Sequence, residues 1–288
     1  MSFRNNRSLL PPEAFAHSEG PDLPPRDLIE ENIWNSIMFT PDDVSLRTSA
    51  DHGKEIKIMY ELWSSFIEYS FKRGKSPLSD SILDACDELQ NSMITLIIGL
   101  YGLSASCLRA VIEYGITGLY FSLIKKDEDY YNWRDKEKGK IEFDSWCGQI
   151  TKNNTIISLE KYLQSKGSFS ILKTKDIRQN YEGGWVRKLH DTLSNYSHSR
   201  PGYRNVDLWE GSNGPIYIPE SFGFITAHYL DTSSLIYALI KISDNSLELP
   251  STTSSLLSCP DILPSKLMMH TYSYLWGSDF QRLLNNDK

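Results

Sequence analysis

Residues 187–202 carry the chemistry most readily read from this chain: Arg187-Lys188-Leu189-His190-Asp191-Thr192-Leu193-Ser194-Asn195-Tyr196-Ser197-His198-Ser199-Arg200-Pro201-Gly202. On a helix of about 3.6 residues per turn, Arg187, Asp191, Ser194 and His198 fall within about 60° of one another. Val186, Leu189, Leu193 and Tyr196 form the opposite, apolar stripe, so one face packs while the other presents a titratable group. An imidazole is the side chain best suited to moving protons near neutral pH. Asp191 can orient it, and Arg200 can hold an anion beside it. His190 points off this line and reads as a surface residue.

A second constellation is Arg109-x-x-x-Glu113, set in the least polar stretch of the chain. One helical turn apart, the two side chains can pair, which a charge in apolar surroundings requires. Two readings stay open: an ion pair that fixes helix register, or a guanidinium aimed into a cleft to clamp a phosphate.

The elements that must position these residues are helical. Apolar residues recur at helix period over 27–39 before Thr40-Pro41-Asp42-Asp43 predicts a break, and again over 52–72. Ser79 or Asp80 caps the next predicted helix, which runs to Gly99 and Gly102, and Ser104 starts another reaching about Lys125. The charged run 127–140 reads as a solvated connector. Short helices are expected over 143–150 and 158–165, then a helix over 176–197 bent at Gly183-Gly184. Alternating runs around Gly211-Ser212-Asn213-Gly214, closed by Pro219, predict a small β-hairpin. Helices follow over 221–240 and 266–284, separated by the polar run 251–255. Pro11, Pro12, Pro21, Pro24 and Pro25 make residues 1–26 an extended arm. The expected organisation is this arm followed by one all-α domain, 27–288.

Composition narrows the function. The chain has 288 residues, is 40% hydrophobic and 12% aromatic, and so has ample material for a core. Its net charge of −7 excludes indiscriminate coating of nucleic acid or anionic membrane, so phosphate contact must come from a local patch. Arg187, Lys188, Arg200 and Arg204 outnumber Glu182, Asp191 and Asp207 around the opening segment. Asn91 to Leu108 is uncharged, but its serines, the Gly99/Gly102 break and a mean hydropathy of −0.38 favour two core helices over a membrane span. Cys86, Cys107, Cys147 and Cys259 show no zinc-ligand spacing and read as reduced cytosolic thiols, and the N-terminus carries no export signal. P-loop, Rossmann, zincin and serine-hydrolase motifs are missing, which disfavours those chemistries. The seven tryptophans are scattered as packing residues.

Leu108-Arg109-Ala110-Val111-Ile112-Glu113 together with Leu193-Ser194-Asn195-Tyr196-Ser197-His198 resembles helical bacterial proteins related to the HEPN superfamily, over roughly 52–245. There an apolar helix carries Arg-x-x-x-Glu and a later helix ends in a Leu-Ser-x-Tyr-x-His-like sequence. The resemblance implies an all-α, cytoplasmic homodimer acting as a metal-independent endoribonuclease or RNA-binding effector in toxin or antiphage systems, with an antitoxin-like protein partner and no cofactor. It implies a catalytic set of His198, Arg109 and Glu113, with Ser194, Asn195, Arg200 and Arg187 holding the phosphate. This chain departs from the family's Arg-x4-6-His spacing: Leu193 and Ser194 stand five and four residues before His198, and the nearest upstream arginine is Arg187. The departure sustains a second reading, a non-catalytic helical interaction module. A third, a small-molecule enzyme with a His198/Asp191 dyad, has no substrate motif behind it.

Overall fold

A computed structural model describes residues 31–136, 141–168, 170–173, 183–197, 215–247 and 266–277. Among them the secondary structure is entirely helical: α1 (Glu31–Arg73), α2 (Pro77–Ile97), α3 (Tyr101–Leu123), α4 (Asp127–Lys136), α5 (Phe143–Ile150), α6 (Asn154–Ser165), α7 (Trp185–Ser197), α8 (Pro219–Ser243) and α9 (Lys266–Leu275). The N-terminal arm and most of the expected hairpin lie outside the described residues. The hairpin's last part, residues 215–218, forms no strand. It lies instead across the α2–α3 turn, where the Ile218 amide donates to Tyr101 Oη at 2.8 Å.

The predicted break at residues 40–43 does not occur. α1 runs through Pro41, which gives up one backbone hydrogen bond, and departs from helical geometry at His52 (φ −126°, ψ 27°). There the His52 ring stacks on Phe222 at 4.1 Å, and Tyr217 donates to Asp51 Oδ2 at 2.6 Å. The departure falls at His52, next to Gly53, and not at the proline, beside these aromatic contacts. α2 begins earlier than expected: Ser76, not Ser79 or Asp80, is the N-cap, accepting from the Ser79 amide at 3.2 Å, with Pro77 in the first turn. The charged run from Asp127 is likewise a helix rather than a connector. Its Tyr130 is buried, and Arg134 reaches Asp84 of α2 at 3.4 Å.

α3 is the central helix. It packs against α2, α4, α5, α7 and α8, and Ala105, Leu108, Val111, Ile112, Ile116 and Leu119 are fully shielded from solvent. Glycine makes this closeness possible, since a Cβ on Gly115 would stand 2.3 Å from Ile236 Cδ1 of α8. The charge-poor stretch 91–124 is thereby explained as core. No described helix is long and apolar enough to cross a membrane.

α7 is positioned at its entry. The Trp185 and Val186 amides, which have no partner within their own helix, donate to the Ser170 and Ile171 carbonyls at 2.9 and 3.0 Å. That loop is held by Glu160 of α6, whose Oε1 accepts from Ser170 Oγ and from the Ile171 and Leu172 amides. Leu189 and Leu193 then bury α7 against α3.

Candidate functional site

Arg109 and Glu113 of α3 meet α7 at the edge of the core. Arg109 Nη2 lies 2.9 Å from Glu113 Oε1, and the two side chains retain 28% and 20% of their exposure. The pair expected from the i, i+4 spacing is therefore formed, in a half-buried setting. What joins it is His190, whose side chain is only 12% exposed. Its Nε2 stands 3.0 Å from Glu113 Oε1 and 3.3 Å from Arg109 Nε. In one tautomer Nε2–H donates to the carboxylate; in the other the nitrogen accepts from the guanidinium. Nδ1 is buried with no hydrogen-bond partner, and Phe143 of α5 stacks on the ring at 4.1 Å.

His190 is thus not the surface residue expected from its angle. On the wheel it lies about 40° from Val186 and about 60° from Leu193, at the border of the apolar stripe. A titratable residue at that border is carried into the packing seam, and this was the one signal in the sequence that could have found it.

Burial by itself raises the Glu113 carboxyl, but the hydrogen bond from His190 and the Arg109 charge outweigh it and hold the group below the ordinary glutamate value. The carboxylate stays ionised and locks both partners in place.

Beside this triad Arg187 donates through Nε to Asp191 one turn along α7 at 3.0 Å, and through Nη1 to Asp144 at the start of α5. Ser194 donates its hydroxyl to the His190 carbonyl at 2.7 Å, so it supports its own helix. Asn195 is exposed on α7. His198 and Arg200 lie outside the described residues. The structure therefore brings Arg109 and Glu113 together, links Arg187 to them through the first turn of α5, and adds His190, Phe143 and Asp144, which sequence reasoning missed; the bond of Ser194 stays within α7. Phe143 and Asp144 come from a separate helix with no shared motif, so only packing reveals them. The guanidiniums of Arg109 and Arg187 are met here by three carboxylates, Glu113, Asp144 and Asp191; of the charges read as a local cationic excess, Arg200, Arg204, Glu182 and Asp207 lie outside the described residues.

Among the described residues no cluster of histidine, cysteine and acidic side chains is arranged to hold a metal. Cys86, Cys107 and Cys147 are buried thiols, each pushed up to about 12 chiefly by desolvation, and so are not nucleophiles near neutral pH. An open groove lined by Leu123, Lys152 and Asn154 lies beyond the C-terminal end of α3, away from the triad.

Comparison with known protein families, with characterised proteins and with solved structures finds no match to this chain. The class that can be stated is an all-α fold built around a buried central helix.

Proposed function

We propose that the chain is an RNA-directed effector of the toxin or antiphage kind, cleaving or binding RNA without a metal at the junction of α3 and α7. The single observation that carries this reading is the meeting of Arg109 and His190 from two distant helices, with Glu113 Oε1 accepting from both. Metal-free cleavage of RNA needs a group that moves a proton at the 2′-hydroxyl or leaving oxygen, and a cation that meets the charge gathering on the phosphate. Arg109 supplies the cation, Glu113 fixes it, and histidine supplies the proton carrier. By resemblance that carrier is His198, which follows α7 directly in the sequence, and His190 positions Arg109 and Glu113 for it. Arg187, Asn195 and Arg200 hold the flanking phosphates. A cytoplasmic homodimer would repeat the set across a two-fold axis, and a single strand with splayed bases is the substrate such a junction suits.

The test is cleavage of single-stranded RNA by the purified chain in the presence of a chelator. His198→Ala and Arg109→Lys are each expected to lower the rate about 100-fold or more, the usual contribution of an acid–base or oxyanion-stabilising group. The lysine keeps the charge and the ion pair, so the melting temperature should hold; loss of folding in place of loss of activity would end the reading.

A second reading is favoured by a specific observation. The guanidiniums of Arg109 and Arg187 are already met by carboxylates, and Tyr60, Phe71, Ile94 and Leu103 stand exposed at 54, 74, 50 and 52%. On that reading the chain is a non-catalytic interaction subunit, the triad is a brace, and the same variants leave no RNA phenotype.

A further inference from the structure

The first turn of α5 touches the α3–α7 junction at two points. Phe143 covers the His190 ring at 4.1 Å with the planes 17° apart, and the next residue, Asp144, takes Arg187 Nη1. The two ends of the Asp144 pair differ in exposure: Arg187 is 26% exposed and backed by Asp191, whereas Asp144 is 70% exposed. α5 is short, eight residues, and no side chain caps its N-terminus at Glu142. A carboxylate on a short, uncapped helix, laid on a guanidinium that its own helix already orients, presents oxygens where an oxyanion would bind.

We infer that Asp144 is an intramolecular stand-in for a phosphate at Arg187, and that the first turn of α5 is a displaceable cover on the junction. The inference rests on the phosphate-binding role assigned to Arg187 above and adds the group that competes for it. A phosphate entering the site exchanges one oxyanion for another on the same Nη1, and so it meets a guanidinium already partly shielded from water and oriented by Asp191. Lifting the turn also uncovers the His190 ring, which couples anion binding to exposure of the imidazole. Because Asp144 is largely exposed, the competition is weak: an ion pair of this kind sets the ligand back by a factor of a few, not by orders of magnitude.

The test compares the full chain with Asp144→Asn and Asp144→Ser, using Glu142→Gln as a control that removes an equal charge two residues away without touching Arg187. Inorganic pyrophosphate is titrated calorimetrically at low ionic strength, and a labelled single-stranded oligoribonucleotide is followed by anisotropy. Both Asp144 variants should bind pyrophosphate about two- to fivefold tighter, the scale of an exposed ion pair. Glu142→Gln should change nothing, and adding Arg187→Gln should erase the gain. If Glu142→Gln tightens binding as much as Asp144→Asn, or if neither Asp144 variant gains, the stand-in is wrong. A gain for pyrophosphate with no RNA binding by any variant would keep the cover and discard RNA as the ligand.

Discussion

The ionisation of Glu113 bears directly on the junction, because one carboxylate oxygen serves both Arg109 and His190. The folded pKa of Glu113 lies below the ordinary value, so ionisation favours the native state. That contribution is fully present above the unfolded glutamate pKa of about 4.3 and is lost as pH falls through the lower folded value. Glu113→Gln should therefore melt below the parent at pH 7, with the gap closing as thermal scans move below about pH 4. A gap that stays constant from neutral to acid would show that the charge on Glu113 holds nothing. At this scale the i, i+4 pairing of Arg109 and Glu113 was legible, since spacing on one helix fixes it. The third member was not: His190 meets Glu113 across 77 positions of sequence, and the border of an apolar stripe does not say which helix it will face.

Among the elements, α7 depends on how its N-terminus is seated. The sequence placed Gly183-Gly184 as a bend inside a helix over 176–197; in the structure the pair is not helical and α7 begins after it, at Trp185. The reason is tertiary: a Cβ on Gly184 would stand 2.6 Å from the Ser170 carbonyl oxygen and 2.8 Å from the Ile171 carbonyl carbon, backbone atoms held in place by Glu160. Gly115 is a contrasting case, because a Cβ there would press on the Cδ1 methyl of Ile236, the far end of a side chain that can turn away. Gly184→Ala is expected to cost about 2 kcal/mol or more, near the upper range for overpacking, and Gly115→Ala clearly less. Urea titrations of the two variants side by side check this order. The reverse order would mean that the 170–173 loop yields and does not fix where α7 begins. The same scale holds the departure in α1: a proline removes one hydrogen bond without breaking the helix, and the non-helical residue falls instead at His52, before Gly53, where the ring stacks on Phe222.

For the molecule as a whole, α3 is the hub through which α2, α5, α7 and α8 are related, so stability should be concentrated there. Ile112→Ala, at a fully buried position beside Glu113, is expected to cost about 2–5 kcal/mol. Phe71→Ser, on the exposed side of α1, should stay within about 0.5 kcal/mol. Chemical denaturation distinguishes them. A large penalty at Phe71 would reveal that this face is covered in solution by a second copy of the chain.

Helix period, the low charge of residues 91–124 and the Arg109–Glu113 spacing are local properties, and they pointed by themselves to a mostly helical chain with two core helices over that stretch and to two charges placed so that they can pair. Where the helices start, where α1 bends, and the gathering of His190, Phe143 and Asp144 around that pair were decided only in the tertiary structure. A helix sets which residues share a face through its own backbone geometry. Which faces meet depends on packing between segments far apart in sequence, where close contact and burial outweigh local preference.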